Sequence, residues 1–132
     1  MLIYLVRHGE AVAEEVDPAR PLTEKGRAEV EATAHELKAE GARIDEIWHS
    51  TKLRAKQTAE IIARVLNVSK VIEKDVLKPN DPVAPIVKLI RQSGKTILIA
   101  GHLPFLPKLV QLLKPDLGKI ELKTGGVVRV SF

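Results

Sequence analysis

Two histidines in this chain directly follow short apolar runs, and each lies next to a glycine. Residues 2–6 lead into Arg7-His8-Gly9, and residues 96–100 lead into Gly101-His102. Short apolar runs that break at once into polar residues are typical of strands buried on both faces of a parallel sheet. The carboxyl ends of such strands share one edge, where open α/β sheets bind their ligands. The pattern therefore predicts that both imidazoles reach one crevice, although Arg7-His8 taken alone also fits a surface loop.

Arg54 is a third residue that could take part in chemistry. It falls in the first turn of a helix that we expect to start near Lys52, four residues before Thr58 and on the same inward face. An inward arginine needs an anionic partner, because an unpaired buried charge is very costly. That partner is either an ordinary carboxylate or a bound phosphate, which suits a guanidinium near a helix N-terminus.

Arg7, His8, Arg54 and His102 together would form a cationic hole suited to a tetrahedral dianion such as phosphate. Nearby arginines lower the pKa of a histidine, which leaves one ring nitrogen free to attack phosphorus. Metal binding is the competing use of two histidines. We disfavour it because arginines repel a cation and no carboxylate has suitable spacing, so we expect neither a metal nor another cofactor.

The segments between these residues alternate between strand and helix patterns. A helix is expected from an N-cap at Thr23 to about Glu40, followed by strands at 44–49 and 68–73 on either side of the helix that begins near Lys52. Gly26 occupies the position where a capping box would need Glu or Gln, which indicates either tight packing or a close backbone approach instead.

Further helices are expected to open at Asp81-Pro82 and at Pro104, and residues 120–122 and 127–132 are expected to form a strand or hairpin. This alternation predicts an α/β fold with a mainly parallel central sheet between helices, which makes three layers. A length of 132 residues, without repeats or linkers, predicts one domain over residues 1–132.

The composition narrows the class of function. The net charge of +4 suits an anionic ligand, but one Trp, one Tyr and two Phe are too few for base stacking, so we expect no nucleic acid. No apolar run is long enough to span a membrane, and we expect no signal peptide, because the first residues have neither a basic region nor a cleavage site. Cysteine is absent, which removes disulfides and thiol chemistry. We expect a cytoplasmic protein without membrane association.

Residues 5–10 (Leu-Val-Arg-His-Gly-Glu) resemble the signature of the histidine phosphatase superfamily, which has the phosphoglycerate mutase-like fold. The resemblance continues through residues 20–26, residues 50–59 and Gly101-His102, and it covers nearly the whole chain in the right order. The short length and the Arg-Pro-Leu-Thr segment make the chain most similar to the SixA-type protein phosphohistidine phosphatases.

The resemblance implies a role for each motif residue. His8 would be the nucleophile that is phosphorylated transiently, while Arg7, Arg54 and His102 would clamp the phosphoryl oxygens.

Three further residues would lie around that centre. Arg20 would contact the substrate, and Gly9 would let the backbone come close to it. Glu10 would either orient His8 or act as a proton donor, although a solvated loop carboxylate is an equal alternative.

The chain also departs from the family pattern. Ser50-Thr51-Lys52 replaces the Ser-Pro that often opens the second motif. Lys78 stands about where larger members carry the acid that protonates the leaving group, with Glu73 and Asp75 nearby.

These observations predict a metal-independent phosphatase acting on phosphohistidine in proteins, with phosphate or vanadate able to occupy its pocket. The first alternative is a small-molecule phosphomonoesterase that uses the same pocket on a sugar or nucleotide phosphate ester. The second is a non-catalytic module that binds a phosphoprotein or nucleic acid, which an intact His8 disfavours. A mutase is also disfavoured, because so short a chain has little left to build a lid that excludes water.

Overall fold

The computed structural model describes residues 1–132, and its centre is one five-stranded sheet. The strands are β1 (Leu2–Arg7), β2 (Glu46–His49), β3 (Val71–Glu73), β4 (Ile97–Gly101) and β5 (Val127–Ser131). They lie in the order β3-β2-β4-β1-β5, and only β5 runs antiparallel to its neighbour. The α/β class and the mainly parallel sheet are confirmed.

Helices cover both faces of the sheet. Helices α1 (Glu24–Ala39) and α2 (Leu53–Leu66) lie on one face, and α3 (Ala84–Ser93) and α4 (Phe105–Leu113) lie on the other. Successive side chains of β1 alternate between the two cores: Tyr4 and Val6 pack with α1 and α2, while Ile3 and Leu5 pack with α3 and α4. Burial on both faces explains why β1 and β4 are continuously apolar.

The register aligns the strand ends that carry the candidate residues. Arg7 of β1 pairs with Gly101 of β4, and His49 of β2 pairs with Ala100. Beyond the paired strands, the His8 backbone N–H donates to the Gly101 carbonyl oxygen at 2.9 Å. Because β4 lies between β1 and β2, the residue after β4 is flanked by the residues that follow both neighbours.

The predicted start of α1 is confirmed. Thr23 is the N-cap, and its hydroxyl accepts from the Gly26 backbone N–H at 2.9 Å. The third strand is shorter than expected and begins at Val71.

The expected start of α3 at Asp81-Pro82 is wrong. The Asp81 carboxylate accepts the Lys78 backbone N–H at 2.9 Å, so it closes a turn instead of capping a helix. The helix begins at Ala84, and Pro85 holds the first-turn position that we had expected for Pro82.

The expected strand at 120–122 is also absent. The carbonyl oxygen of Leu122 accepts from Arg7 Nη1 at 3.0 Å, so it is engaged by a side chain instead of a neighbouring strand. None of the helices combines the length and apolar character needed to cross a membrane.

Candidate active site

His8 lies at the carboxyl end of β1 and is only 8% exposed. Its Nδ1 donates to the Gly9 carbonyl oxygen at 2.7 Å, which leaves Nε2 as the nitrogen without a proton in the neutral ring. Burial lowers the pKa of His8 to about 4, and the charges of Arg54, Arg7 and Arg20 act in the same direction, against the hydrogen bond to Gly9. The ring is therefore neutral at pH 7 and offers a nucleophilic Nε2.

His102 lies beside His8 at the end of β4. The ring centroids are 5.1 Å apart, with the planes inclined at 58°. His102 is 1% exposed; its Nε2 lies 2.6 Å from Ser50 Oγ, and its Nδ1 has no hydrogen-bond partner in the protein. Burial first, and then the neighbouring His8 and Arg54, lower the pKa of His102 to about 3. The structure thus brings the two sequence-predicted histidines together.

Arg7 and Arg54 place positive charge near His8 and His102, and neither arginine has a carboxylate partner. Arg7 donates from Nη1 to Leu122, but its buried Nε has no partner, and the buried Nε of Arg54 has none either. Every ion pair of the protein involves other residues. The carboxylate that we considered as a partner for Arg54 is therefore not present, which leaves an external anion.

Arg20 is held near Arg54 by an unusual backbone. Its φ of 49° lies in the left-handed region, which a non-glycine residue rarely adopts, and its Nε donates to the Val12 carbonyl oxygen at 3.0 Å. Its charge lowers the pKa values of His8, His102 and Arg54. We call Arg7, His8, Arg20, Arg54 and His102 the cationic cluster.

A cavity of about 450 Å³ opens beside the cationic cluster and has a largely exposed rim. Arg20, Lys52 and Arg54 supply its positive charge, and Glu14 is the acidic residue of its lining. A larger cavity of about 610 Å³ lies between α1 and residues 121–127, and no member of the cationic cluster lines it.

Gly9 supports His8 from within the protein. Its backbone N–H donates to Thr58 Oγ1 at 3.2 Å, and its carbonyl oxygen accepts from His8. Its N–H is therefore already engaged inside the protein. The close approach that we expected at Gly9 is to the backbone of Gly26, where a β-carbon would meet the carbonyl oxygen at 2.5 Å.

The Glu10 carboxylate lies against the start of α1. It accepts from the Thr23 hydroxyl at 3.3 Å and lies 3.4 Å from Lys25 Nζ. The group that orients His8 is the Gly9 carbonyl oxygen, which replaces the orienting role considered for Glu10. Glu10 remains the acidic side chain nearest to His8 along the chain.

The other acidic candidates are placed poorly for proton donation. Lys78 Nζ lies 2.6 Å from the Asp75 carboxylate and 3.4 Å from that of Asp81. Its hydrogen bond and charge lower the pKa of Asp75, which makes that carboxyl a weaker proton donor. Glu73 ends β3, which lies three strand positions from β1, a backbone separation of about 14 Å.

Two supporting residues escaped the sequence analysis as site residues. Ser50 follows β2 directly, as His8 and His102 follow β1 and β4, and that shared position was the available signal. Thr58 was assigned to the core only. Its hydroxyl donates to the Arg54 carbonyl oxygen at 2.8 Å and accepts the Gly9 N–H, which links the arginine helix to the nucleophile loop.

The cluster presents three buried side-chain nitrogens that lack protein partners: Arg7 Nε, Arg54 Nε and His102 Nδ1. Buried polar groups are nearly always hydrogen-bonded, so three such groups around one imidazole indicate a polyanionic ligand. No group of His, Cys, Asp or Glu side chains is arranged to hold a metal ion. The fold and site together define an α/β protein whose paired histidines and arginines form a pocket suited to a phosphoryl group.

Comparison with known proteins identifies the family. The model of the histidine phosphatase superfamily (branch 1) matches residues 3–78. The chain belongs to the histidine phosphatase superfamily, and it is a phosphatase. This relationship gives no support to the binding-only alternative.

Two relatives and one solved structure describe the similarity. Phosphohistidine phosphatase SixA of Escherichia coli (strain K12) is 32% identical over 138 residues, covering 100% of this chain and 86% of that protein. The mitochondrial serine/threonine-protein phosphatase PGAM5 of Xenopus tropicalis is 34% identical over 84 residues, covering 63% of this chain and 30% of that protein. The structure of the protein histidine phosphatase SixA complexed with tungstate has a TM-score of 0.91 at 28% identity and covers 99% of this chain and 88% of that one.

Proposed function

We propose that this phosphatase removes phosphoryl groups from phosphohistidine side chains of cytoplasmic proteins, without a metal ion, through a phosphohistidine formed at His8. The observation that carries the proposal is a cationic cluster with which no carboxylic acid forms a hydrogen bond or ion pair. The cluster can bind and activate a phosphoryl group, but no carboxylic acid contacts it to protonate a basic leaving group. Glu14 lines the neighbouring cavity, but it is exposed and forms no hydrogen bond or ion pair with the cluster.

The first step transfers the phosphoryl group to the enzyme. His8 Nε2 forms a bond to phosphorus while the P–N bond to the substrate imidazole breaks, and the departing nitrogen takes a proton from water. Arg7, Arg54 and the Nδ1 side of His102 stabilise the negative charge of the transferring group. The Gly9 carbonyl oxygen, which accepts from His8 Nδ1, stabilises the positive ring that forms when Nε2 is phosphorylated.

The second step regenerates the enzyme. A water molecule attacks the phosphorus, and the P–Nε2 bond breaks and returns His8 to its neutral form. The proton that the attacking water loses neutralises the hydroxide left by the first step, and inorganic phosphate leaves. The same arginines hold the phosphoryl oxygens throughout, so neither step needs a metal ion as a source of positive charge.

The nature of the leaving group favours phosphohistidine as the substrate. An alkyl phosphate expels an alkoxide, for which general acid help is worth roughly 10²–10⁴ in rate. An imidazole nitrogen has a pKa of about 6.5 and can take up a proton near neutral pH without an enzyme acid. A site without an acid in contact is therefore matched to P–N bonds.

Two further observations support a protein substrate. The cavity beside Arg20 and Arg54 has a largely exposed rim, so a phosphohistidine on the surface of a folded protein could enter it. In addition, the relative similar over the whole chain is named a phosphohistidine phosphatase.

A panel of three substrates, assayed with a chelator present, tests the proposal. We expect kcat/KM to decrease from a phosphohistidine protein to an aryl phosphate and then to a sugar phosphate, with the last almost inert. Comparable efficiency on the sugar phosphate would favour the small-molecule phosphomonoesterase, with Glu10 as the first candidate for its acid. Loss of all activity with the chelator would overturn metal independence.

A further inference from the structure

Ser50 is a buried hydroxyl in direct contact with His102, and its effect on that ring has not yet been considered. It follows the last residue of β2, and His102 follows the last residue of the adjacent β4. Ser50 is 0% exposed, and its Oγ lies 2.6 Å from His102 Nε2. Its carbonyl oxygen accepts from His49 Nδ1 at 2.8 Å, which holds the backbone on which the hydroxyl is mounted.

The hydrogen bonds around Ser50 decide which way the proton points. Its Oγ already accepts the Lys52 backbone N–H at 3.2 Å, and a hydroxyl has one proton to donate. If His102 Nε2 were the donor, the buried hydroxyl proton would have no acceptor. That arrangement would also leave His102 Nδ1 without a partner, so two buried groups would be unpaired. If Ser50 donates to Nε2, only His102 Nδ1 lacks a protein partner, and buried polar groups are generally paired.

We propose that Ser50 is a positioning residue that fixes the neutral tautomer of His102, with the ring proton on Nδ1. The ring nitrogen without a protein partner is then an N–H donor beside His8, where it can hydrogen-bond a phosphoryl oxygen. The opposite tautomer would present a lone pair to the phosphoryl oxygens and repel them. This inference rests on the proposed role of His102 next to the phosphoryl group.

The groups around His102 keep its ring neutral, so the tautomer determines how the ring interacts with a phosphoryl oxygen. Four titratable groups lower the pKa of His102: His8 after β1, Arg54 in α2, Lys52 just before α2, and Arg20 in the loop between β1 and α1. All are neutral or positive, and with burial they disfavour the doubly protonated ring. A neutral imidazole has only one N–H, so its position decides whether His102 attracts or repels the substrate.

The test is a measurement of the His102 tautomer in the unliganded protein by ¹⁵N NMR of labelled histidine, with the signals assigned by their loss in His102→Gln. We expect Nδ1 to carry the proton in the wild type and Ser50→Ala to show a mixture or the reversed tautomer. The vanadate Kd should rise, and kcat/KM on the phosphohistidine protein should fall, each about tenfold.

Ser93→Ala is the matched control. Ser93 Oγ accepts the Lys95 backbone N–H at 3.1 Å, as Ser50 accepts that of Lys52, but Ser93 lies at the end of α3. We expect its loss to leave the tautomer, the vanadate Kd and kcat/KM unchanged.

A wild-type His102 with its proton on Nε2 would overturn the inference, and this readout needs no variant to fold. A Ser50→Ala protein with a lowered Tm but an unchanged tautomer and vanadate Kd would also overturn it. The tautomer and vanadate measurements do not depend on the physiological substrate. Failure of the phosphohistidine proposal in the substrate panel is therefore distinguishable from failure of this one.

Discussion

Gly9 and Gly26 pack backbone against backbone so closely that neither could carry a side chain without movement. A β-carbon on Gly9 would lie 2.5 Å from the Gly26 carbonyl oxygen, and one on Gly26 would lie 2.0 Å from the Glu10 carbonyl oxygen. The contact seats the first turn of α1 against the loop that carries His8. It explains why glycine occupies the position at which a capping box would have Glu or Gln.

Replacing Gly26 with alanine should therefore impair both stability and catalysis. The added methyl must displace the loop next to His8, and overpacking of this kind typically costs about 1–3 kcal/mol. We expect a lower free energy of unfolding together with reduced kcat. Gly41→Ala is the control, because Gly41 has a φ of 72° but open space around it, so only stability should fall. A Gly26→Ala protein with wild-type kcat would contradict the seating argument.

His8→Ala should abolish turnover, because no other side chain can supply the attacking nitrogen. Rapid base quench after mixing with phosphoryl-labelled substrate should trap a phosphoenzyme in the wild type and none in the variant. The trapped label should be stable in base and released on acidification. Near-wild-type turnover by His8→Ala would disprove the assignment of the nucleophile.

Arg54→Ala should lower the rate by about 10²–10³ and weaken the binding of phosphate or vanadate, because the transferring group loses a positive partner. The fold should survive, since Arg54 has no carboxylate partner to leave unpaired. Arg64→Ala on the same helix is the control: its exposed ion pair with Glu31 should contribute little. Unfolding of Arg54→Ala with intact phosphate affinity in any folded fraction would show a structural role instead.

Acid should destabilise the protein partly through His8. The pKa of His8 is lowered by burial to about 4, whereas an unfolded histidine titrates at about 6.5. Between these values the unfolded chain binds more protons, so stability is fully present above about pH 6.5 and declines as the pH falls through about 4.

His8→Gln removes this titration. We subtract the free energy of unfolding of the wild type from that of the variant. This difference should become more positive as the pH decreases from 7 to 4, because only the wild type loses the contribution of His8. Urea titrations at a series of pH values measure this difference. A difference that stays constant over that range would show that the two states do not differ in the pKa of His8.

Glu10→Gln distinguishes a proton donor from a structural carboxylate. Glu10 contacts Thr23 and Lys25, so we expect less than a threefold change in kcat/KM on a phosphohistidine protein. If Glu10 donates a proton, the loss should instead be selective for alkyl phosphate and reach roughly 10²–10⁴. Parallel assays on both substrates decide between these outcomes.

The sequence by itself determined the class of fold and, through its local patterns, four members of the cationic cluster, while Arg20 was predicted only from the family resemblance. Apolar runs that end in Arg7-His8 and Gly101-His102 indicate strands buried on both faces, and such strands place their ends at one edge for purely geometric reasons. Helical periodicity similarly placed Arg54 on the inward face of α2. These are local patterns, and each can be recognised within about ten residues.

Only the tertiary structure decided how these residues are supported. The insertion of β4 between β2 and β1 sets His102 between Ser50 and His8, and no local pattern encodes the order of strands in a sheet. The contact between the Glu10 carboxylate and the Thr23 hydroxyl, thirteen residues away in sequence, likewise sets that carboxylate against the start of α1. A local sequence pattern is compatible with several hydrogen-bond partners for a polar side chain. The packed structure determines which partner is used, because each buried hydrogen-bonding group must be paired in the folded chain.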